Sequence, residues 1–143
     1  RTPTVATTSR RWMEAVRRSE GFEQVHWTDA VEVPATTLDA LIERHGVPRF
    51  CKIDVEGCEA EVLRGLSQPI PALSFEYLPA AIDVARCAAG LLAGLGRYRF
   101  NLTIGERRRF LWPEWRSLSA LDAWLAAREV DERSGDVYAR LER

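Results

Sequence analysis

Residues 50–66, FCKIDVEGCEAEVLRGL, decide the fold that this 143-residue chain is expected to adopt. The first four residues, 50–53, are typical of a short buried strand. Asp54 and Glu56 follow it directly, Gly57 permits a tight turn, and a helix is predicted from about Glu59. A strand, an acidic turn and a helix in this order form a βα unit. Because ligands of open α/β sheets lie beyond the carboxyl ends of the strands, we expect Asp54 and Glu56 to lie at a ligand site.

Predicted helices and strands alternate around this unit, which indicates an α/β fold with a parallel sheet. No linker divides the chain, so a single domain is expected. Helices are predicted at 9–18, from a capping box at 36–39, at 80–95, and from a second capping box at 119–122. Strands are predicted at 25–33, 50–53, 72–77, 98–104 and 136–141, with the last at a sheet edge and 107–112 as a return strand or an extension. Strands 50–53 and 73–77 are joined by one helix and should be adjacent and parallel.

The composition argues against several classes of function. The chain has 20 Lys and Arg residues against 21 Asp and Glu, and such a balance lacks the basic excess of a nucleic-acid-binding protein. No apolar run approaches the roughly 20 residues of a membrane span. Three cysteines without CxxC spacing suit a reduced, cytoplasmic setting, and Cys51 and Cys87 are expected in the core. Since the first residue is Arg1, we also expect the chain to be part of a longer protein.

Three carboxylates are the strongest candidates for chemistry. Glu76 ends the 72–77 strand in the way that Asp54 and Glu56 follow the strand before it, so all three should converge. Such a cluster is costly unless it binds a cation, shares a proton or binds a polar ligand. The plainer alternative is that Glu56 caps the next helix and Glu76 pairs with an arginine. Lys52 is expected to pair with an acid of this cluster.

Two other polar features have plain explanations. A histidine in the position of His26, between Val25 and Trp27, most often lies on a polar face. Contact with a substrate is the alternative. The run 107–109, with three arginines, is typical of a solvated surface.

Four stretches resemble the FkbM-type S-adenosylmethionine-dependent methyltransferases: VPATTLDALI at 33–42, KIDVEGCEAEVLRGL at 52–66, LSFEYLP at 73–79 and GDVYARL at 135–141. The resemblance implies a Rossmann-like class I domain with a mostly parallel sheet and flanking helices, in which 50–53 and 73–77 are the fourth and fifth strands. It also implies methylation of hydroxyl groups on sugars or natural products, with a small-molecule or glycan acceptor.

The resemblance also implies roles for individual residues. Asp54, then Glu56, would act as the base or orient the acceptor hydroxyl, and Asp54 and Gly57 would contact the cofactor. Contacts with the substrate would come from Glu76, Tyr77 and His26. No metal ligand is assigned, although a divalent ion held by the three carboxylates is the alternative to a base.

One feature of the family is absent from the 143 residues, namely a glycine-rich cofactor turn after a first strand. We therefore expect the C-terminal portion of the domain, inactive by itself, with poor affinity for S-adenosylmethionine. The open sheet edge beside 50–53 would favour self-association. A binding or scaffolding module and a small metal-dependent hydrolase are the alternatives to a methyltransferase.

Overall fold

The computed structural model describes residues 6–17, 25–105 and 107–142, which form the predicted α/β arrangement. The helices are α1 (Arg10–Val16), α2 (Leu38–His45), α3 (Glu59–Arg64), α4 (Ile82–Leu95) and α5 (Leu118–Ala126), with a 3₁₀ turn at Pro79–Ala81 before α4. The strands are β1 (Cys51–Ile53), β2 (Ala72–Tyr77), β3 (Tyr98–Leu102) and β4 (Gly135–Leu141). Among the described residues, no helix has the length and apolarity needed to span a membrane.

The four strands form one sheet in the order β1-β2-β4-β3. β1 and β2 are adjacent and parallel, with Ile53 opposite Phe75, which confirms the prediction for these two strands. β4 is antiparallel to both of its neighbours, so the prediction of a mostly parallel sheet is wrong and the sheet is mixed. The crossover through α4 leaves a gap between β2 and β3, and β4 fills it in the opposite direction. For the same reason β4 lies inside the sheet and not at its edge.

One face of the sheet is apolar and covered by helices. α4 contacts β2 and α5 contacts β3. The strand residues on this face are nearly inaccessible to solvent: Ile53, Leu73, Phe75, Tyr77, Phe100, Leu102, Val137 and Ala139. Full burial of each large apolar side chain contributes roughly 1.5–3 kcal/mol, so this layer fixes the register of the strands and the direction of their carboxyl ends.

The opposite face of the sheet is polar and partly covered by the segment 107–116. Asn101 anchors this segment because its amide donates to the Trp112 carbonyl at 3.0 Å and accepts from the Trp112 N–H at 3.2 Å. Phe110 contacts the Tyr138 ring edge-on, with 5.1 Å between ring centroids. Within the described part of this segment there is no strand, only one isolated bridge between Arg116 and Phe100. Residues 107–112 are therefore a covering loop, not a return strand.

Three other predictions need correction. Residues 25–33 form no strand, and Val31 is 85% exposed, because no strand in the described ranges pairs with this segment. The N-cap of α5 is Ser117, whose hydroxyl accepts from the Ala120 N–H, so the cap lies two residues before the one predicted at 119. Cys87 is exposed on the outer side of α4, where its sulfur lies 3.6 Å from the guanidinium of Arg64, and is not a core residue.

Candidate functional site

The turn after β1 has an unusual backbone. Glu56 has φ 51° and Gly57 has φ 95°, so two successive residues lie in the left-handed region. This conformation costs little for glycine but is uncommon and unfavourable for glutamate. The Thr7 hydroxyl donates to the Glu56 carbonyl at 2.6 Å and helps to hold it. Tertiary contacts therefore maintain the turn that carries two of the predicted site residues.

Gly57 is covered by Trp12 of α1. A Cβ atom at position 57 would lie 2.4 Å from three side-chain carbons of Trp12, which no real contact permits. Trp12 is itself buried, so it has little room to move away. Glycine is thus required here for two reasons, the positive φ and the close approach of the indole.

Glu59 is a site residue that the sequence analysis treated only as the start of a helix. Its side chain is buried at 3% exposure. One carboxylate oxygen accepts hydrogen bonds from the Gly57 N–H at 3.2 Å and the Val55 N–H at 3.4 Å. The sequence signal was the acid three residues after Glu56, in the first turn of the following helix, where its charge is favourable. Through these two hydrogen bonds Glu59 holds the backbone of the acidic turn in place.

The three predicted carboxylates lie together at the carboxyl ends of β1 and β2. One oxygen from each of Asp54, Glu56 and Glu76 lies within 4.8 Å of the other two. The parallel pairing of β1 with β2 brings the strand ends side by side and so produces this arrangement. The convergence expected from the sequence is present in the structure.

The environment of Glu76 favours its protonated form. Burial is the main reason that the pKa of Glu76 rises from 4.5 to about 8. The second reason is repulsion from four neighbouring carboxylates: Glu56, Asp54, Glu59 and Asp136. Burial, followed by the charges of Asp54 and Glu59, also raises the pKa of Glu56. At neutral pH the cluster therefore retains a proton.

Lys52 pairs with the cluster, as predicted. Its Nζ atom lies 3.2 Å from Asp54 Oδ2 and 4.0 Å from Asp136 Oδ1. The hydrogen bond to Asp54 is the first cause of the raised pKa of Lys52. Because the Lys52 and Asp54 side chains are about half exposed, the pair contributes little to stability, roughly 0–1 kcal/mol. Its main effect is to fix the position of the Asp54 carboxylate.

The plainer explanations offered for Glu56 and Glu76 are not supported. In the described ranges no arginine forms an ion pair with Glu76. The residue preceding α3 is Cys58, and no side chain caps the start of that helix.

A groove of about 350 Å³ opens beside this cluster on the polar side of the sheet. Its lining includes Lys52, Asp54, Glu76 and Asp136, together with Arg107 and Arg108 of the covering loop. Glu56 does not line the groove, although its carboxylate reaches the other two. Asp54 and Glu76 are consequently the two acids of the cluster that a ligand in the groove would meet.

Two predicted substrate contacts lie elsewhere. Tyr77 is fully buried on the helix-covered face, and its hydroxyl donates to the Thr103 carbonyl at 3.2 Å. Burial raises the pKa of Tyr77 to about 12. His26 is exposed in the segment before α2 and is not among the residues that line the groove. These placements do not support either residue as a substrate contact.

The three carboxylates also have the donor atoms that a divalent cation requires. Three carboxylate oxygens that lie within 4.8 Å of one another are close enough to contact one divalent cation, since both Mg²⁺ and Ca²⁺ take oxygen ligands.

Comparison with known proteins gives one informative result. The family model described as Methyltransferase FkbM domain matches residues 3–134, a range that contains β1, β2 and all three carboxylates. A search of curated proteins found no match for the chain.

Proposed function

The chain belongs to the FkbM methyltransferase family, and on this premise we propose that it serves methyl transfer from S-adenosylmethionine to a hydroxyl group. The acceptor in this proposal is a sugar or another small hydroxylated compound bound in the groove. We also propose that residues 1–143 form the C-terminal portion of a Rossmann-like domain. The parallel adjacency of β1 and β2, the strands that resemble the fourth and fifth of that fold, supports this assignment.

The described residues fit only part of S-adenosylmethionine. When bound, this cofactor supplies an electrophilic methyl group on a positively charged sulfur, and the carboxylates of Asp54 and Glu56 favour a nearby positive charge. In the described ranges, however, no strand is followed by the glycine-rich turn that approaches a nucleotide in Rossmann-like sheets. β1 is followed by the acidic turn, and β2 by Leu78 and Pro79. We expect calorimetry to detect no binding of S-adenosylmethionine to residues 1–143 alone; binding at micromolar concentration would contradict this.

The proposal depends on one observation, the partly buried Glu76 carboxylate with its high pKa on the groove lining. An alcohol is a poor nucleophile until a base accepts its proton, and a base works best when its pKa is near the working pH. An ordinary carboxylate with a pKa near 4.5 is too weak a base, whereas Glu76 with a pKa of about 8 is well matched. In this scheme the deprotonated form of Glu76, whose share grows as the pH approaches 8, accepts the proton of the acceptor hydroxyl.

Asp54 orients the acceptor in the same scheme. Its Oδ2 atom is held by Lys52 at 3.2 Å, and the remaining oxygen is available to accept a hydrogen bond from a hydroxyl on the acceptor. From the sequence, Asp54 was the first candidate for the base. We assign the base to Glu76 because Asp54 shares its charge with Lys52 and is half exposed, while Glu76 is more deeply buried.

Methyl transfer to glycosides by the full-length protein tests these roles. We expect Glu76→Gln to lower kcat by about 10²–10⁴-fold, as is usual for loss of a general base. Asp54→Asn should lower turnover far more than affinity for the methyl donor. Glu114→Gln, which changes an exposed acid of the segment 107–116, is the matched control and should behave as wild type. Full activity of the Glu76→Gln variant would refute the assignment of the base.

A bound divalent cation is the second explanation for the cluster, and the spacing of its oxygens favours it specifically. A cation would lower the pKa of a coordinated hydroxyl and replace the base. Chelation by EDTA distinguishes a general base from a bound cation. Unchanged transfer after chelation supports Glu76 as the base, whereas loss of transfer that added Mg²⁺ or Ca²⁺ restores supports the metal.

The exposed edge of β1 supports a separate proposal about partners. In the part of the chain that the structure describes, β1 pairs only with β2, and Phe50 beside it is 50% exposed. We propose that a second copy of the chain pairs weakly at this edge, since a three-residue strand offers few backbone groups. Sedimentation velocity should show a dimer that forms as the protein concentration rises, and the Phe50→Lys substitution should abolish it. A wild-type protein that stays monomeric at all concentrations would refute the proposal.

A further inference from the structure

We propose that the acceptor carries an anionic group, a carboxylate or a phosphate, which Arg107 and Arg108 bind in the same groove while a hydroxyl lies against Glu76 and Asp54. This inference rests on the proposed function and names the class of acceptor. It assigns a role to two residues of the arginine run that the sequence analysis placed on a solvated surface.

The two arginines line the groove without an ion-pair partner in the described parts of the chain. Every acid–base pair found there within 4.0 Å involves other cations, including Lys52 with Asp54 and Asp136. Arg107 and Arg108 are exposed, yet both contribute to the groove lining. Their planar guanidinium groups match the geometry of carboxylate and phosphate.

In the described ranges neither arginine forms an ion pair with Asp54, Glu56 or Glu76. The charges that act on Glu76 come from four acids, and no arginine is among them. A guanidinium close to Glu76 would have opposed the rise in its pKa. The groove thus has acidic and basic groups that do not neutralise each other directly, and a ligand can contact both.

The volume and the polarity of the groove restrict the ligand. A cavity of about 350 Å³ is at the lower end of the range for small-molecule sites, roughly 300–1,000 Å³. It accommodates a compound of about the size of one sugar. The Tyr138 side chain and the Ser134 residue add polar groups to the lining.

The charge distribution also sets the orientation of the acceptor. An anionic group placed at the acidic cluster would be repelled by its charged carboxylates, and the same group at Arg107 and Arg108 would be attracted. Repulsion of the wrong orientation is as effective for specificity as attraction in the right one. The anionic end therefore directs the hydroxyl end to the base.

Direct binding measurements test this inference without the methyl donor. The probes are glucuronate, glucose 6-phosphate, inorganic phosphate and glucose, which shares its ring hydroxyls with the first two. We expect at least one of the two anionic sugars to bind about tenfold more tightly than glucose, as charged hydrogen bonds predict. Added salt should reduce the difference. A preference for glucuronate identifies the group as a carboxylate, and a preference for glucose 6-phosphate together with binding of phosphate identifies a phosphate.

Variants of the arginine run supply the controls. Arg107→Ala/Arg108→Ala should abolish the preference for the anionic sugar. Arg109→Ala removes a neighbouring arginine that does not line this groove, so it should retain the preference. All three positions are exposed, and an unchanged Tm would show that the variants remain folded.

Equal affinity for glucose and both anionic sugars would overturn the inference, as would an equal loss in the Arg109→Ala variant. Failure of the proposed function gives a different result. If methyl transfer to neutral glycosides occurs without any preference for anions, only this inference fails. If anionic sugars bind selectively but no methyl transfer to them can be measured in the full-length protein, only the proposed function fails.

Discussion

Replacement of Glu76 by glutamine should change how the stability of the protein depends on pH. The folded state raises the pKa of Glu76 from 4.5 to about 8, so between these values the folded state binds more protons than the unfolded state. Stability contributed by this group is fully present below pH 4.5 and is lost as the pH rises through about 8. The Glu76→Gln variant, which carries no titrating group at this position, should not show this loss.

The size of the effect follows from the two pKa values. Each pH unit between them lowers the free energy of unfolding by up to about 1.4 kcal/mol. The actual loss of unfolding free energy is smaller than this limit, because Glu76 is not completely buried and solvent relaxes around its charge. We therefore expect a loss of about 2–4 kcal/mol between about pH 5 and pH 8 in the wild type.

Urea denaturation at a series of pH values measures this loss. With slopes of about 1–3 kcal/mol per molar urea, the wild-type midpoint should fall by roughly 1–2 M relative to that of the Glu76→Gln variant. Glu114→Gln, an exposed substitution of the same type, should follow the wild type. Parallel curves for wild type and Glu76→Gln over this range would refute the high pKa and the proton held by the cluster.

Other substitutions test the parts of the site separately. Gly57→Ala should destabilise the fold by about 2–4 kcal/mol, because the new Cβ meets Trp12 at 2.4 Å and φ is positive; a Tm equal to that of wild type would contradict this. Glu59→Gln should keep the fold but lower the apparent pKa of the rate profile, since the charge of Glu59 raises the pKa of Glu76; an unchanged profile would show that Glu59 is only structural. Lys52→Met should change the free energy of unfolding by less than about 1 kcal/mol, and a larger loss in urea denaturation would show that the ion pair is worth more than its exposure suggests.

The sequence predicted the part of the fold that depends on local patterns. The strand–turn–helix at 50–66 and the buried run at 72–77 were recognisable because apolar residues, acids and glycine follow one another in the order of a βα unit. Because one short crossover joins these two strands, they are adjacent in the sheet. Their adjacency places Asp54, Glu56 and Glu76 close together.

Features that depend on distant contacts were not predictable in the same way. The direction of β4 is decided by the gap that the crossover leaves between β2 and β3, and its own sequence alternates equally well in either direction. The alternation in 25–33 resembled a strand, but a strand also needs a neighbour, and the described part of the chain provides none.

In the site, too, features set by the local sequence were predictable and features set by distant contacts were not. Glu59 was overlooked because a glutamate in the first turn of a helix is ordinary, and only the structure shows its bonds to the Val55 and Gly57 amides. Tyr77 was expected to contact the substrate because of the family resemblance. Consecutive residues of a strand point to opposite faces, so a residue next to Glu76 lies on the helix-covered face.

The ionisation of Glu76 within the acidic groove is measured most directly by carbon-13 NMR of its side-chain carboxyl group during a pH titration. The resonance can be assigned by its absence from the Glu76→Gln variant. We predict a midpoint at a pH of about 8, displaced when an acceptor that places its hydroxyl against this carboxylate is added. A midpoint at the ordinary glutamate value of about 4.5, unaffected by any hydroxylated ligand, would contradict the assignment of Glu76 as the base.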